Sequence, residues 1–226
     1  MSSAPSILLL GATGASGQIF LKYALGLDPK PKITVYVRNA SKLPSDIASQ
    51  VKIVQGDLSD RSKVDEAMQG VDAVVSVLGA YATLGNFWDR KKETPLATEL
   101  VTVKESMKAH NVKRVLALST GAHSVPGEKY NWSQWFFNQI MPPFMTPSGS
   151  ATMTAIAELF HDESLDYTIF RVPFLGDEKD AKVYAGFFGP EYKGGMSLTR
   201  GSMSRWIYEE IKERAWVKQE PALGNF

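Results

Sequence analysis

The sequence predicts a single α/β domain, residues 1–226, built on a doubly wound parallel sheet with long loops at the strand carboxyl ends. Three observations carry this reading. Short aliphatic runs alternate with helical patterns along the chain. The intervals between the runs are too long for hairpins, so the connections must be crossovers between parallel strands. Several runs, Ala73-Val-Val-Ser-Val-Leu78 and Val115-Leu-Ala-Leu118 among them, are apolar at nearly every position instead of every second one, as in strands covered on both faces.

Taken in order, a first strand over 7–10 runs through a glycine-rich turn into a helix over 14–25. A second strand at 33–37 and a third at 51–54 follow, and a helix over 61–69 leads to a fourth strand at 73–78. Thr94 as N-cap and Pro95 at the first helical position open a helix over 95–109. A fifth strand at 114–119, a helix over 151–163, a sixth strand at 167–171 and a last helix over 202–214 complete the pattern. Three segments, 80–93, 121–150 and 172–199, are too long for simple connections. All three follow strand carboxyl ends, where open α/β sheets bind ligands, and the substrate site is expected among them.

Composition narrows the function. Hydrophobic residues at 44% and charged residues at 22% exclude a disordered chain. With 25 Lys+Arg against 24 Asp+Glu the net charge is +1, so no global positive field points to a nucleic-acid partner. The apolar run at 7–10 is far too short for a membrane span, and Met1 to Ser6 lacks the basic start of a signal peptide; a cytoplasmic protein is expected. There is no cysteine, which removes disulfides, thiolate nucleophiles and Cys-ligated metals. No His/Asp/Glu grouping has helical metal-ligand spacing, so no metal is expected. Redox chemistry would need a borrowed cofactor.

That cofactor has a candidate cradle. The first strand enters Gly11-Ala-Thr13-Gly14-Ala-Ser16-Gly17-Gln18 and then a helix. Residues without Cβ permit a tight turn and the close approach of a pyrophosphate to backbone N–H groups, and the helix N-terminus adds partial positive charge. A glycine triple can be a steric turn and nothing more, but its place directly after a first strand and ahead of a first helix is the context of a Rossmann-type dinucleotide site. Some 20 residues on, where an acid would hold the ribose of NAD, stands Arg38, with Lys42 shortly after. Two cations and no carboxylate suit the extra phosphate of NADP(H); a pair of solvated surface cations is the alternative. Asp57 and Leu58 after the third strand, and Leu78 and Gly79 at the end of the fourth, are placed to border the adenine and ribose, with helix capping the competing role for Asp57.

Together, the Gly11 to Gly17 turn, Val37-Arg38, Gly56-Asp57-Leu58, Val77-Leu-Gly79, Leu118-Ser-Thr-Gly121 and Arg171-Val-Pro173 resemble the atypical short-chain dehydrogenase/reductases, and more narrowly the NmrA-like and flavin reductase/biliverdin-IXβ reductase proteins. The resemblance implies a Rossmann domain binding NADP(H) through Gly11, Thr13, Gly14, Ser16, Gly17, Gln18, Arg38, Lys42, Asp57, Leu58, Leu78 and Gly79. Ser119, Thr120 and the Pro173-Phe174 turn would flank the nicotinamide. The departure lies in catalysis. Standard members use a Tyr-x-x-x-Lys pair shortly after the fifth-strand serine, whereas here Tyr130 is followed four residues on by Gln134, so the activating cation is missing. Ser119 and Thr120 remain as hydroxyls able to orient the reacting atom, and His123, Tyr130 or water as proton source.

His110 and His161 read as structural. Tyr81, Trp132, Trp135, Phe174 and Phe187 are candidate walls of an apolar substrate pocket; local packing and a homodimer surface are the other readings of the loop aromatics. The expectation is an NADPH-dependent reductase acting on a small apolar or aromatic carbonyl, enone or conjugated-ring substrate. The rivals are a non-catalytic NADP-sensing regulator and an isomerase, cyclase or lyase on the same scaffold.

Overall fold

The structure, a computed structural model, describes residues 4–79 and 94–226. Tyr81 and the rest of the expected loop 80–93 lie outside the described residues. The first half of the chain repeats one device: an apolar strand followed by a helix that returns over the sheet. The units are β1 (Ser6–Leu10) with α1 (Ala15–Leu25), β2 (Lys32–Val37) with a 3₁₀ turn (Ala40–Lys42) and α2 (Ser45–Ala48), β3 (Lys52–Gln55) with α3 (Arg61–Met68), and β4 (Ala73–Ser76). Then come α4 (Pro95–Ala109), with Pro95 in its first turn, and β5 (Arg114–Thr120). Thr94 sits at the N-cap of α4 as expected, although its side chain accepts no capping bond.

The second half departs from expectation. Residues 121–150 are largely helical: α5 (Trp132–Trp135), a π-helical turn (Phe136–Ile140), α6 (Met141–Met145) and the start of α7 (Pro147–Phe160). Asn131 and Gln134 form a reciprocal capping box that starts α5. Helix α7 begins at Pro147, not at 151, because a proline has no N–H to lose in a first turn. After β6 (Asp166–Val172), the supposed loop 172–199 supplies β7 (Phe174–Gly176), β8 (Val183–Gly186) and β9 (Ser197–Thr199) before α8 (Arg200–Glu213). The chain closes with β10 (Ala222–Asn225), a strand the short apolar string Ala222-Leu223 did not announce.

Among the described residues the main sheet runs β3-β2-β1-β4-β5-β6-β10-β8. Every neighbouring pair is parallel except β10 with β8, and β7 pairs with β9 in a separate ribbon. The order reverses between β1 and β4, which creates the crevice at the carboxyl edge where such sheets take ligands. Helix α1 packs on α8, α3 on α4 and α4 on α7, so each face of the sheet carries helices. Every residue from Ile7 to Leu10 is buried, which explains why that strand reads as an unbroken apolar run.

A buried ion pair helps to place the last strand. Arg114 Nη2 of β5 lies 2.6 Å from Glu210 Oε1 of α8 and its Nη1 donates to Thr168 Oγ1 at 2.7 Å. Glu210 also accepts from the N–H groups of Ala215 and Trp216, just after Arg214 ends the helix in a left-handed conformation (φ 55°). The chain is thereby turned back along β6, to which Gln219 bridges at Thr168, and continues as β10.

Candidate functional site

The cradle is built by β1 and α1. Gly11 has φ +88°, a conformation that L side chains rarely adopt, and an added Cβ would approach the backbone of Val77 and Leu78 to 3.1 Å. Gly14 N–H closes the turn on Gly11 O at 3.1 Å, and Gln18 Nε2 braces it by donating to Thr13 O at 3.1 Å. A Cβ on Gly17 would collide with Gly11 O. Gly14 itself is extended (φ −79°, ψ 165°), so the conformational demand falls on Gly11 and the packing demand on Gly17. Helix α1 starts with no side-chain cap and no acidic residue in its first turn. The N–H groups of Ala15, Ser16 and Gly17 therefore have no intrahelical partner and carry the positive end of the helix dipole. That uncapped, glycine-lined terminus at the sheet's switch point fits a dinucleotide pyrophosphate.

Arg38 follows β2 and Lys42 lies in the 3₁₀ turn; both are exposed and neither has an ion-pair partner among the described residues. Asn39 holds this turn, its Oδ1 accepting from Ser41 N–H at 3.0 Å. Capping of α3 falls to Asp60, which accepts from Lys63 N–H at 3.2 Å, and not to Asp57. The main chain of Asp57 is tied instead, its carbonyl accepting from Tyr36 Oη at 2.6 Å. Burial pushes the Tyr36 phenol up to about 12, so it remains a donor. Leu58 is buried, and Leu78 and Gly79 are half-buried at the end of β4.

On the same sheet edge, at the carboxyl ends of β5 and β6, lies a cavity of about 410 Å³. Of the residues singled out from sequence, Thr120, Pro173 and Phe174 line it. Others do not. Ser119 is fully buried with its hydroxyl donating to Met153 O at 2.9 Å. His123, a candidate proton source from sequence, is buried with Nε2 2.7 Å from Glu220 Oε2. Tyr130 donates to Glu128 Oε2 at 2.7 Å, and burial, reinforced by that carboxylate, pushes its phenol up to about 12.

Trp132 and Trp135 are 69% and 47% exposed and face away from the cavity. Helical spacing explains the miss: Gln134, Phe137 and Asn138 share the inner face, three and four residues apart, while the tryptophans occupy the outer one. Phe187 is 41% exposed and packs edge-on against Trp216, while its neighbour Phe188 lines the cavity. The two lie just past the end of β8, where no strand periodicity told the sequence which of them was inward.

The largest omission is Arg171. Its side chain is inaccessible and forms a two-pronged pair with Glu128, Nη2 to Oε1 at 2.5 Å and Nη1 to Oε2 at 2.8 Å. It also donates to Glu220 O and His123 O, and Phe188 covers it with its ring centroid 5.1 Å away. Glu128 accepts in addition from Phe188 N–H at 2.8 Å. Burial alone would raise the Glu128 carboxyl, but the Arg171 guanidinium and the Tyr130 hydroxyl outweigh it and hold the group below its usual value. The available signal was a cation ending an apolar strand, which demands a buried counter-charge.

Glu220 performs a related task, bridging His123 to His161 Nδ1 at 2.6 Å. His161 sits at the C-cap of α7, and His110 at that of α4. No group of three or more acidic or histidine side chains among the described residues is arranged to hold a metal. A Tyr-x-x-x-Lys string does occur at Tyr208 and Lys212 on α8, but there Lys212 Nζ lies over the Tyr208 ring (5.8 Å), which packs on Tyr23, and neither residue lines the cavity.

Comparison with known proteins agrees with this anatomy. Oxidoreductase stcQ of Emericella nidulans is 33% identical over 82 residues; the match covers 33% of this chain and spans 30% of that protein. A short-chain dehydrogenase/reductase from Veillonella parvula DSM 2008, solved in complex with NADP, superposes with a TM-score of 0.78 at 18% identity, covering 99% of this chain and 95% of that one. The anaerobillin reductase ChuY of Escherichia coli O157:H7 gives 0.74 at 19% identity, with 97% of each chain covered. At such identities the structures share the fold: a mostly parallel Rossmann sheet flanked by helices. The NAD(P)H-binding family pattern runs from Gly11, the first glycine of the cradle, to Arg214 at the end of α8, and the chain belongs to that family.

Proposed function

We propose that the protein is an NADPH-dependent reductase that acts on a small, largely apolar carbonyl, enone or conjugated-ring substrate. The observation that carries this is the cavity of about 410 Å³ on the same sheet edge as the cradle, with apolar walls such as Phe137, Met153 and Met196 and a few polar groups. The NADP complex of the Veillonella relative and the reductase activity named for the Escherichia one support the same class.

In this reading the first-turn N–H groups of α1 hold the pyrophosphate, and Arg38 and Lys42 hold the ribose phosphate. When bound, the reduced nicotinamide supplies a hydride. The Thr120 hydroxyl orients the reacting end of the site. Because Ser119, Tyr130 and His123 are all engaged by protein partners, the proton that balances hydride addition comes from solvent.

The test is loss of near-ultraviolet NADPH absorbance with a panel of aromatic aldehydes, ketones and enones. Turnover is expected with NADPH in preference to NADH, and Thr120→Val should lower kcat with little change in NADPH affinity. Tight NADPH binding with no turnover on any panel member would replace this reading with a non-catalytic NADP sensor.

A further inference from the structure

A reductase needs a group that holds the acceptor atom of its substrate, and of the side chains the sequence put forward Ser119, His123 and Tyr130 are already engaged. The cavity offers another hydroxyl. Tyr192 lines it, with its ring held edge-on by Tyr184 (centroids 5.2 Å apart, 89°) and tilted against Phe188 (4.9 Å). Both braces are themselves anchored: Tyr184 Oη donates to Glu191 O at 3.1 Å, and Phe188 is tied to Glu128 through its N–H. The Tyr192 hydroxyl lies so close over Gly194 that any Cβ there would collide with it. The phenol is thus fixed on three sides.

Its hydroxyl nevertheless has no hydrogen-bond partner among the described residues, while burial pushes its pKa up. It stays protonated at neutral pH and is a donor awaiting an acceptor. Thr120, whose Oγ1 accepts from Ala122 N–H at 3.4 Å, keeps its own O–H to donate and stands on the same lining. The charge around Tyr192 also limits the ligand. Arg171 is the one cation among the described lining residues, no carboxylate joins it there, and Glu128 neutralises it from behind. A ligand carboxylate would be desolvated there without a counter-charge. The rings of Phe137, Phe174 and Phe188 and the sulfurs of Met153 and Met196 instead suit an aromatic body.

We propose that Tyr192 is the substrate-binding hydroxyl of this cavity, donating a hydrogen bond to the carbonyl oxygen of an uncharged aromatic ligand. Naming the acceptor as a carbonyl rests on the reductase reading; the fixed, unpartnered donor does not.

The experiment titrates acetophenone, ethylbenzene and benzoate into the NADP⁺-loaded protein by calorimetry and follows NADPH oxidation with acetophenone in parallel. Tyr192→Phe is expected to weaken acetophenone by roughly 3- to 10-fold, the worth of one neutral hydrogen bond. Ethylbenzene and NADPH should bind wild type and variant alike, and benzoate should bind more weakly than acetophenone. Gly194→Ala, which displaces the hydroxyl without removing it, should reproduce the loss. Acetophenone affinity indifferent to both substitutions, absence of acetophenone binding to the wild type, or benzoate binding as tightly as the ketone overturns the proposal. Tyr192-dependent binding without NADPH oxidation sinks the reductase reading and leaves the donor standing, whereas turnover unaffected by Tyr192→Phe sinks the donor alone.

Discussion

Arg38 is an exposed cation with no ion-pair partner among the described residues, placed just after β2 where a nucleotide ribose would lie. Arg38→Asp should weaken NADPH by on the order of 10- to 100-fold and disturb NADH much less, since charge-assisted contacts are worth roughly 1.5–3 kcal/mol; fluorescence titration with the two cofactors reads this directly. Glu128 poses the opposite case, a carboxylate paired out of water. Glu128→Gln leaves the Arg171 cation buried with its counter-charge gone, a loss of about 3–5 kcal/mol. For a chain this size that lowers the melting temperature by roughly 6–20 °C.

The same pair sets a pH dependence. The folded Glu128 carboxyl is held below its ordinary 4.5, so its stabilisation is complete above that value and is lost as pH falls through the lower folded value. Melting temperature followed from pH 7 downward should drop below about pH 4.5, and Glu128→Gln should show a shallower drop. The place of Arg38 just after β2 could be read from sequence because it is set by distance along one strand-turn unit. The Arg171–Glu128 pair was not, because its members are 43 positions apart and meet only through the fold.

At the scale of elements, the β1–α1 unit was readable because everything it needs is local: an apolar strand, a glycine with positive φ, and a helix start without a cap. Gly17→Val should abolish cofactor binding, because its side chain would displace Gly11 O and with it the turn. A calorimetric titration showing unchanged NADPH affinity would mean that the turn tolerates the displacement and does not contact the cofactor. In the α5 region Trp132 and Trp135, candidate pocket walls from sequence, do not line the cavity, and the packing alternative fits them better. The region's chemistry sits on one helical face, which amphipathic spacing alone cannot orient, since either apolar face can be the buried one. Trp132→Ala should therefore leave acetophenone affinity within about twofold, whereas Phe137→Ala, which removes a cavity wall, should weaken it by tenfold or more, at about 1.5–3 kcal/mol for a buried aromatic contact.

At the scale of the molecule, the C-terminal strand supports the cavity through Leu223. β10 lies between β6 and β8, its Ala222 and Leu223 are buried, and Leu223 reaches the cavity. Deleting residues 222–226 removes the ladder partner of β8 and the packing of Leu223, so the melting temperature should fall by roughly 10 °C or more, from the loss of about 3 kcal/mol or more, and ligand binding should fall with it. Deleting Phe226 alone, an exposed residue beyond the strand, should change the melting temperature by less than about 2 °C. Equal effects of the two deletions in a thermal melt would show that β10 does not support the cavity.

The linear order of residues carried the sheet's first six strands, the crossover helices α1, α3, α4 and α7 and the glycine-rich turn after β1, because each rests on periodicity and turn chemistry within about 30 residues; the short α2 it did not show. Which hydroxyls stay unpartnered came from the folded arrangement. Ser119 turns to Met153, Tyr130 to Glu128 and His123 to Glu220, while Tyr192 has no hydrogen-bond partner among the described residues. The first two and Tyr192 are hydroxyls of the same donor chemistry. What separates them is the partner that distant parts of the chain bring within 3 Å or withhold, and a linear order of residues does not carry that proximity.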